Sequence, residues 1–222
     1  MVNSRLVINV LFIVSALTSI VLEYLNIREG YVFFKPFTTF LAIVLLFSSG
    51  RTSVPKFKTL MIVALALCLI GDTLLLFKSY FVFGLASFLL GHLLFIAAFI
   101  QLKGFYAHWI SFFCLMVIGG SLFLWLKPDL GDLLVPVSCY ILVICVMAWQ
   151  GIGLYVRNKS KPFLWIAMAV LFFMFSDSMI AVSKFKMPFD YASALILSTY
   201  WLSIGLLANA GYQIISEEKG FA

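Results

Sequence analysis

Cys68-Leu69-Ile70-Gly71-Asp72-Thr73-Leu74-Leu75-Leu76 is an apolar stretch with a single carboxylate at its middle. Phe172-Phe173-Met174-Phe175-Ser176-Asp177-Ser178-Met179-Ile180 repeats the pattern a hundred residues later. Each stretch lies within an apolar run of roughly 20 residues, the length a helix needs to cross the hydrocarbon of a bilayer. A carboxylate at the centre of such a helix costs roughly 3 kcal/mol on insertion scales, so it faces a bundle interior or a wet cavity and marks function by default. Two of them on different helices point to one shared site.

Working outward, the whole chain has the same character. Its 222 residues are 64% hydrophobic and 11% charged, with a mean hydropathy of +1.13. A soluble domain of this size would be about 25% charged. The expected class is all-α: a polytopic membrane protein, residues 1–222 forming a single transmembrane domain. Cys68, Cys114, Cys139 and Cys145 all fall in apolar runs without metal-knuckle spacing and read as small core residues. The net charge of +6 is spread over the loops, which fits topology control and anionic headgroups rather than nucleic acid. The first apolar run is long enough to span and no small-residue cleavage site follows it, so no cleavable signal is expected.

Eight spans are predicted: Leu6 to Ile27, Tyr31 to Ser49, Thr59 to Phe77, Tyr80 to Leu102, Phe105 to Leu126, Leu133 to Tyr155, Pro162 to Ser183 and Phe189 to Ile215. The side holding the N-terminus carries nine Lys/Arg: Arg5, Arg51, Lys56, Lys58, Lys103, Arg157, Lys159, Lys161 and Lys219. The other side carries five: Arg28, Lys78, Lys127, Lys184 and Lys186. That bias predicts both termini in the cytoplasm.

The spans swallow five ionisable groups: Glu23, Lys35, Asp72, His92 and Asp177. All five fall between the midplane and the extracytoplasmic surface, where chance would scatter them over both leaflets. One polar cavity in the outer half follows, built by spans one, two, three, four, seven and eight. Ser15, Ser19 and Glu23 give span one a polar seam at four-residue spacing. Lys35-Pro36 places a cation beside a proline in the first turn of span two, where proline is tolerated. Gly84, Ser87 and Gly91 form a small-residue stripe that admits a close neighbour. Tyr200 lies at similar depth in span eight and can donate a hydrogen bond into the cavity; Asn209 and Gln213 lie deeper and tie helices together.

Each reading has a plainer rival. His92 can be a packing hydrogen bond, and Glu23 and Lys35 can simply neutralise each other across adjacent helices.

The ordered set of Lys35-Pro36, Gly71-Asp72, Phe83-Gly84 through Phe88 to Gly91-His92, Ser176-Asp177 and Tyr200 resembles the lysoplasmalogenase family, the YhhN-like eight-helix membrane hydrolases. The stretch departs at Phe95-Ile96, where a tyrosine near the histidine is expected. The resemblance implies cleavage of the vinyl ether bond of a lysoplasmalogen, or a related lysolipid, to a fatty aldehyde and glycerophospho-ethanolamine or -choline. It implies Asp72 and Asp177 as the catalytic pair. No cofactor or metal is expected, and the expected residence is a bacterial inner membrane. Its partners would be a lysophospholipid substrate and the bilayer. The residues suit the chemistry by themselves: protonation of a vinyl ether β-carbon gives an oxocarbenium ion, and two carboxyls in one poorly solvated site divide the tasks of acid and anion, as in glycosidases. Lys35 is then expected to hold the phosphate, with Glu23 and His92 orienting water or the glycerol hydroxyl.

Rival classes fit less well. An intramembrane aspartyl protease needs a glycine where Leu69 stands. A zinc hydrolase needs about three His ligands, and the chain has only His92 and His108. A proton-coupled transporter or lipid-binding protein using the same carboxylates is the non-enzyme alternative.

Overall fold

The computed structural model describes residues 4–50 and 52–217, with Arg51 and Lys219, two of the basic residues counted above, outside that range. Among the described residues, eight helices are long and apolar enough to cross a membrane. They are α1 Ser4–Tyr24, α2 Arg28–Ser48, α3 Pro55–Leu74, α4 Phe81–Lys103, α5 Trp109–Leu126, α6 Leu134–Arg157, α7 Lys161–Phe185 and α8 Ala192–Glu217.

The helix ends follow local chemistry. Proline occupies the first turn of α3 and of α7, where its missing N–H has no intrahelical partner to lose. Hence α3 starts at Pro55, ahead of the expected Thr59. Gly104 ends α4 with φ 76, a conformation glycine adopts without a Cβ clash. Residues 104–108 then form no helix, so α5 starts at Trp109 rather than Phe105. The expected place of Lys35-Pro36 in a first turn is corrected: α2 begins at Arg28, so Pro36 sits inside the helix and removes one backbone hydrogen bond. Two of the four cysteines also depart from expectation. Cys68 and Cys145 are buried, whereas Cys114 and Cys139 are exposed on outward faces.

Helix neighbours define the architecture. The contacts α2–α3, α3–α4, α4–α6, α6–α7, α7–α8 and α8–α2 close a ring of six helices. Helix α1 lies outside the α2–α8 seam, and α5 lies chiefly against α6. Both outer helices present apolar faces outward, Val10, Val14 and Leu17 on α1, and Ile110, Phe113 and Val117 on α5. Surfaces of this kind suit lipid, and water cannot be their solvent.

The tightest seam is α3 on α4. Gly91 lies so close to α3 that an added Cβ would sit 3.2 Å from the Ala64 carbonyl. The Ser87 hydroxyl donates to the Leu67 carbonyl at 2.7 Å. The small-residue stripe therefore does what small residues do in membranes, bringing two backbones together where no hydrophobic drive exists.

Candidate active site

Each of the six ring helices sends one polar group into the centre of the ring: Thr39 from α2, Asp72 from α3, His92 from α4, Tyr140 from α6, Asp177 from α7 and Tyr200 from α8. The Asp72 carboxylate is 1% exposed. Its Oδ2 accepts from Thr39 Oγ1 at 2.5 Å and from the Tyr200 hydroxyl at 2.8 Å. Asp177 accepts from the Tyr140 hydroxyl at 2.5 Å through its own Oδ2. His92 Nε2 stands 3.8 Å from that same oxygen, beyond hydrogen-bond distance.

The two carboxylates share no hydrogen bond, yet they lie within electrostatic reach of each other. A chain of ring contacts joins them. Tyr200 meets Phe173 edge-on at 5.5 Å between centroids, Phe173 meets His92 at 4.6 Å, and His92 meets Tyr140 at 5.4 Å. Phe88 packs on both Phe173 and Tyr200. Edge-to-face packing fixes ring positions and so fixes the hydroxyls they carry.

Asymmetry distinguishes the aspartates. Asp72 is enclosed, with two hydroxyl donors and the Lys35 ammonium within electrostatic reach. Asp177 is 12% exposed and forms part of the wall of an apolar slot between α4, α5, α6 and α7. The slot is narrow, with a cavity volume of about 50 Å³, and Leu85, Leu122, Ile141, Met174 and Ala181 are among its lining side chains. Both ring nitrogens of His92 are fully buried without a partner. A buried imidazole left so forfeits its hydration, which makes it a receptor for water or a ligand oxygen.

Lys35 is 8% exposed, and its Nζ lies 5.6 Å from the centre of the Tyr31 ring. Glu23 stands apart from the aspartates. It lies at the end of α1 and accepts from Ser193 Oγ at 3.3 Å in a polar groove beside the α7–α8 loop.

The expected cavity of spans one, two, three, four, seven and eight is thus corrected. Helix α1 is peripheral, and α6 enters the site through Tyr140. Sequence reasoning passed over Tyr140 and Thr39. Thr39 lies one turn after Lys35 on the same face. Tyr140 lies in an apolar run at the depth of the other site residues, which was its one signal. It also supplies beside His92 the phenol that Phe95-Ile96 does not.

The ring defines a multi-pass membrane protein with one carboxylate at the wall of an apolar slot and a second enclosed within the bundle. The YhhN family profile matches residues 30–210, and the chain belongs to that family. Among similar proteins is "Lysoplasmalogenase TMEM86A" of Bos taurus, 33% identical over 158 residues, which are 68% of this chain and 64% of the bovine protein. "Lysoplasmalogenase" of Mycobacterium bovis is 28% identical over 198 residues, 82% of this chain and 72% of that protein. "Lysoplasmalogenase TMEM86B" of Homo sapiens is 30% identical over 140 residues, 62% and 57% of the two chains. The chain thus spans just under two thirds of the bovine relative. No solved structure matches it.

Proposed function

We propose that the chain is an ether hydrolase of lysoplasmalogenase type, cleaving the vinyl ether bond of a lysoplasmalogen or a related lysolipid. The observation that carries this is the pairing of Asp177, at the wall of the apolar slot, with Asp72, enclosed behind it by hydroxyl donors. The relatives' names support the same reaction.

In this reading the alkenyl chain occupies the slot. Asp177, as the acid, delivers its proton to the β-carbon of the double bond. The π electrons form the new C–H bond, and an ether oxygen lone pair stabilises the α-carbon as an oxocarbenium ion. Asp72 supplies the negative charge this cation needs, held in place beforehand by Thr39 and Tyr200. Water positioned at His92 adds to the α-carbon and gives its proton to Asp177. The hemiacetal then collapses. The bond from the α-carbon to the glycerol oxygen breaks, that oxygen takes the hydroxyl proton, and the aldehyde and the glycerophospho-alcohol leave. One water is consumed and the acid is restored. Lys35 holds the phosphate.

The basic residues at the end of the bundle shared with the termini outnumber those at the other end. We therefore orient both termini to the cytoplasm, with the site in the opposite leaflet.

Purified protein incubated with lysoplasmalogen in D2O tests the reading. The expected product is fatty aldehyde with one deuterium on the carbon next to the carbonyl. Aldehyde without that label contradicts carbon protonation. No aldehyde at all, with uptake of lipid driven by a proton gradient, favours the transporter.

A further inference from the structure

The seam where α1 lies along α8 contains a furrow that the site does not use. Its two walls are built alike: Asn9, Ile13, Ala16 and Ile20 on α1, and Ser198, Leu202, Gly205 and Asn209 on α8. Each row steps by four, three and four residues, which keeps it on one helix face. At 1.5 Å per residue each row covers about 16 Å of helix. The two helices run antiparallel, so Asn9 meets Asn209. Asn209 Nδ2 donates to Asn9 Oδ1 at 2.7 Å, and Asn9 Nδ2 donates to Asn209 Oδ1 at 3.1 Å. That pair marks the end of the furrow nearer the termini. The rings of Trp165 on α7 and Trp201 on α8 complete the walls. The furrow holds about 500 Å³, and Ile13, Leu17 and Leu202 on its rim are half-exposed, so it opens sideways to the bilayer.

Two cations stand at that end, each in contact with a residue of the walls. Arg5 donates from Nε and Nη2 to Asn209 Oδ1 at 3.3 and 3.1 Å. Lys161 Nζ lies 5.2 Å from the centre of the Trp165 ring. Among the described residues that line the furrow there is no carboxylate. Depth and charge agree on one occupant. The hydrocarbon of a bilayer is about 30 Å thick, so one leaflet contributes about 15 Å, which is the length of the furrow. An acyl chain from the leaflet on the side of the termini fills it from end to end. The phosphate of that lipid then lies level with Arg5 and Lys161, a fork of donors and a point charge.

We propose that the furrow binds an anionic phospholipid as a resident lipid, separate from the substrate, with one acyl chain between α1 and α8 and its phosphate at Arg5 and Lys161. Helix α1 stands outside the ring of six, and the chain fills apolar space that α1 and α8 leave between them, adding dispersion contacts along the whole seam. The furrow also backs onto the site. The Trp201 ring lies 4.6 Å from that of Tyr200, whose hydroxyl donates to Asp72. A zwitterionic lipid offers the same phosphate, but its amine meets two cations and no carboxylate. A net negative headgroup is the better complement. The proposal stands apart from the vinyl ether reading, because no residue it invokes takes part in that reaction.

Native mass spectrometry of the full chain in detergent, titrated with dioleoylphosphatidylglycerol or dioleoylphosphatidylcholine, tests it. Unsubstituted protein is expected to bind the first lipid about tenfold more tightly, the scale of one hydrogen-bonded charge. The double variant Arg5→Gln, Lys161→Gln is expected to bring the ratio of dissociation constants close to one. Lys161→Gln alone keeps the Arg5–Asn209 contacts and is expected to lower the ratio about threefold, so the charge is tested even where the double variant fails to fold. Leu202→Trp puts a large ring on the exposed rim and is expected to weaken phosphatidylglycerol binding about fivefold by filling the furrow. Lys56→Gln with Lys103→Gln removes two exposed bases at the same end of the bundle, outside the furrow, and keeps the full ratio. Equal affinities in unsubstituted protein overturn the proposal, as does a full ratio in the double variant. A ratio lost equally in the Lys56 and Lys103 control shows a diffuse charge effect and also overturns it. Undiminished binding by Leu202→Trp puts the chain elsewhere and does the same.

Discussion

At the scale of single residues, the site is a contrast between two carboxylates. Asp72 and Asp177 were legible in the sequence because a carboxylate in hydrocarbon is too costly to be incidental. Lys35 and His92 stood out for the same reason. Tyr140 did not, because a tyrosine in an apolar run reads equally well as packing, and only a hydroxyl's depth separates the two. Its contact leads to a prediction. Tyr140→Phe leaves Asp177 without its hydroxyl donor while keeping the ring against His92. Turnover should fall about tenfold or more, in line with the loss of one charge-assisted hydrogen bond, with a smaller change in KM. Steady-state aldehyde release checks it, and an unaltered kcat removes Tyr140 from the account. Lys35→Met should act the other way, raising KM more than it lowers kcat. An unchanged KM rejects the phosphate role.

At the scale of elements, the number and order of the helices were readable from hydropathy, but their neighbours were not. Sequence order suggests that α4 packs on α5. Instead α4 meets α6 directly and α5 is displaced to the outside. That single exchange brings Tyr140 into the centre and explains why the expected set of cavity-forming spans left α6 out and took α1 in. The seam between α3 and α4 was visible in Gly84, Ser87 and Gly91. Its counterpart Gly71 was visible only as half of a dipeptide with Asp72. A Cβ on Gly71 would lie 2.6 Å from the Phe88 ring. Phe88 is itself held between Phe173 and Tyr200 and has little room to yield. Gly71→Ala should therefore cost about 1–3 kcal/mol of stability, as overpacking does, and should lower activity by moving Tyr200 off Asp72. A thermal unfolding scan in detergent, paired with aldehyde release, measures both. A variant with unshifted melting and full activity would show that the seam gives way freely.

For the whole molecule, the slot is an apolar opening that reaches Asp177 between α4, α5, α6 and α7. The chain of a lysolipid is apolar as well. Filling the slot should therefore discriminate by chain length. Ala181→Trp places a large ring on its wall and should raise KM for a long alkenyl chain far more than for a short one. Equal effects on both chains would place the chain elsewhere. None of this was legible beforehand, because cavities arise from which helices fail to touch, and a single sequence does not show that.

The central claim is that Asp72 and Asp177 act on one substrate as a unit, although each is held by its own tyrosine. The measurement that meets it most directly is a double-mutant cycle on aldehyde release by purified protein, with Asp72→Asn, Asp177→Asn and the two combined, each shown by gel filtration to remain folded. Groups that work as a unit are non-additive. Each single substitution should cut kcat on the order of 100-fold or more, and the combination should be no worse than either. Full activity in one of the single variants, or losses that multiply in the double, would contradict it.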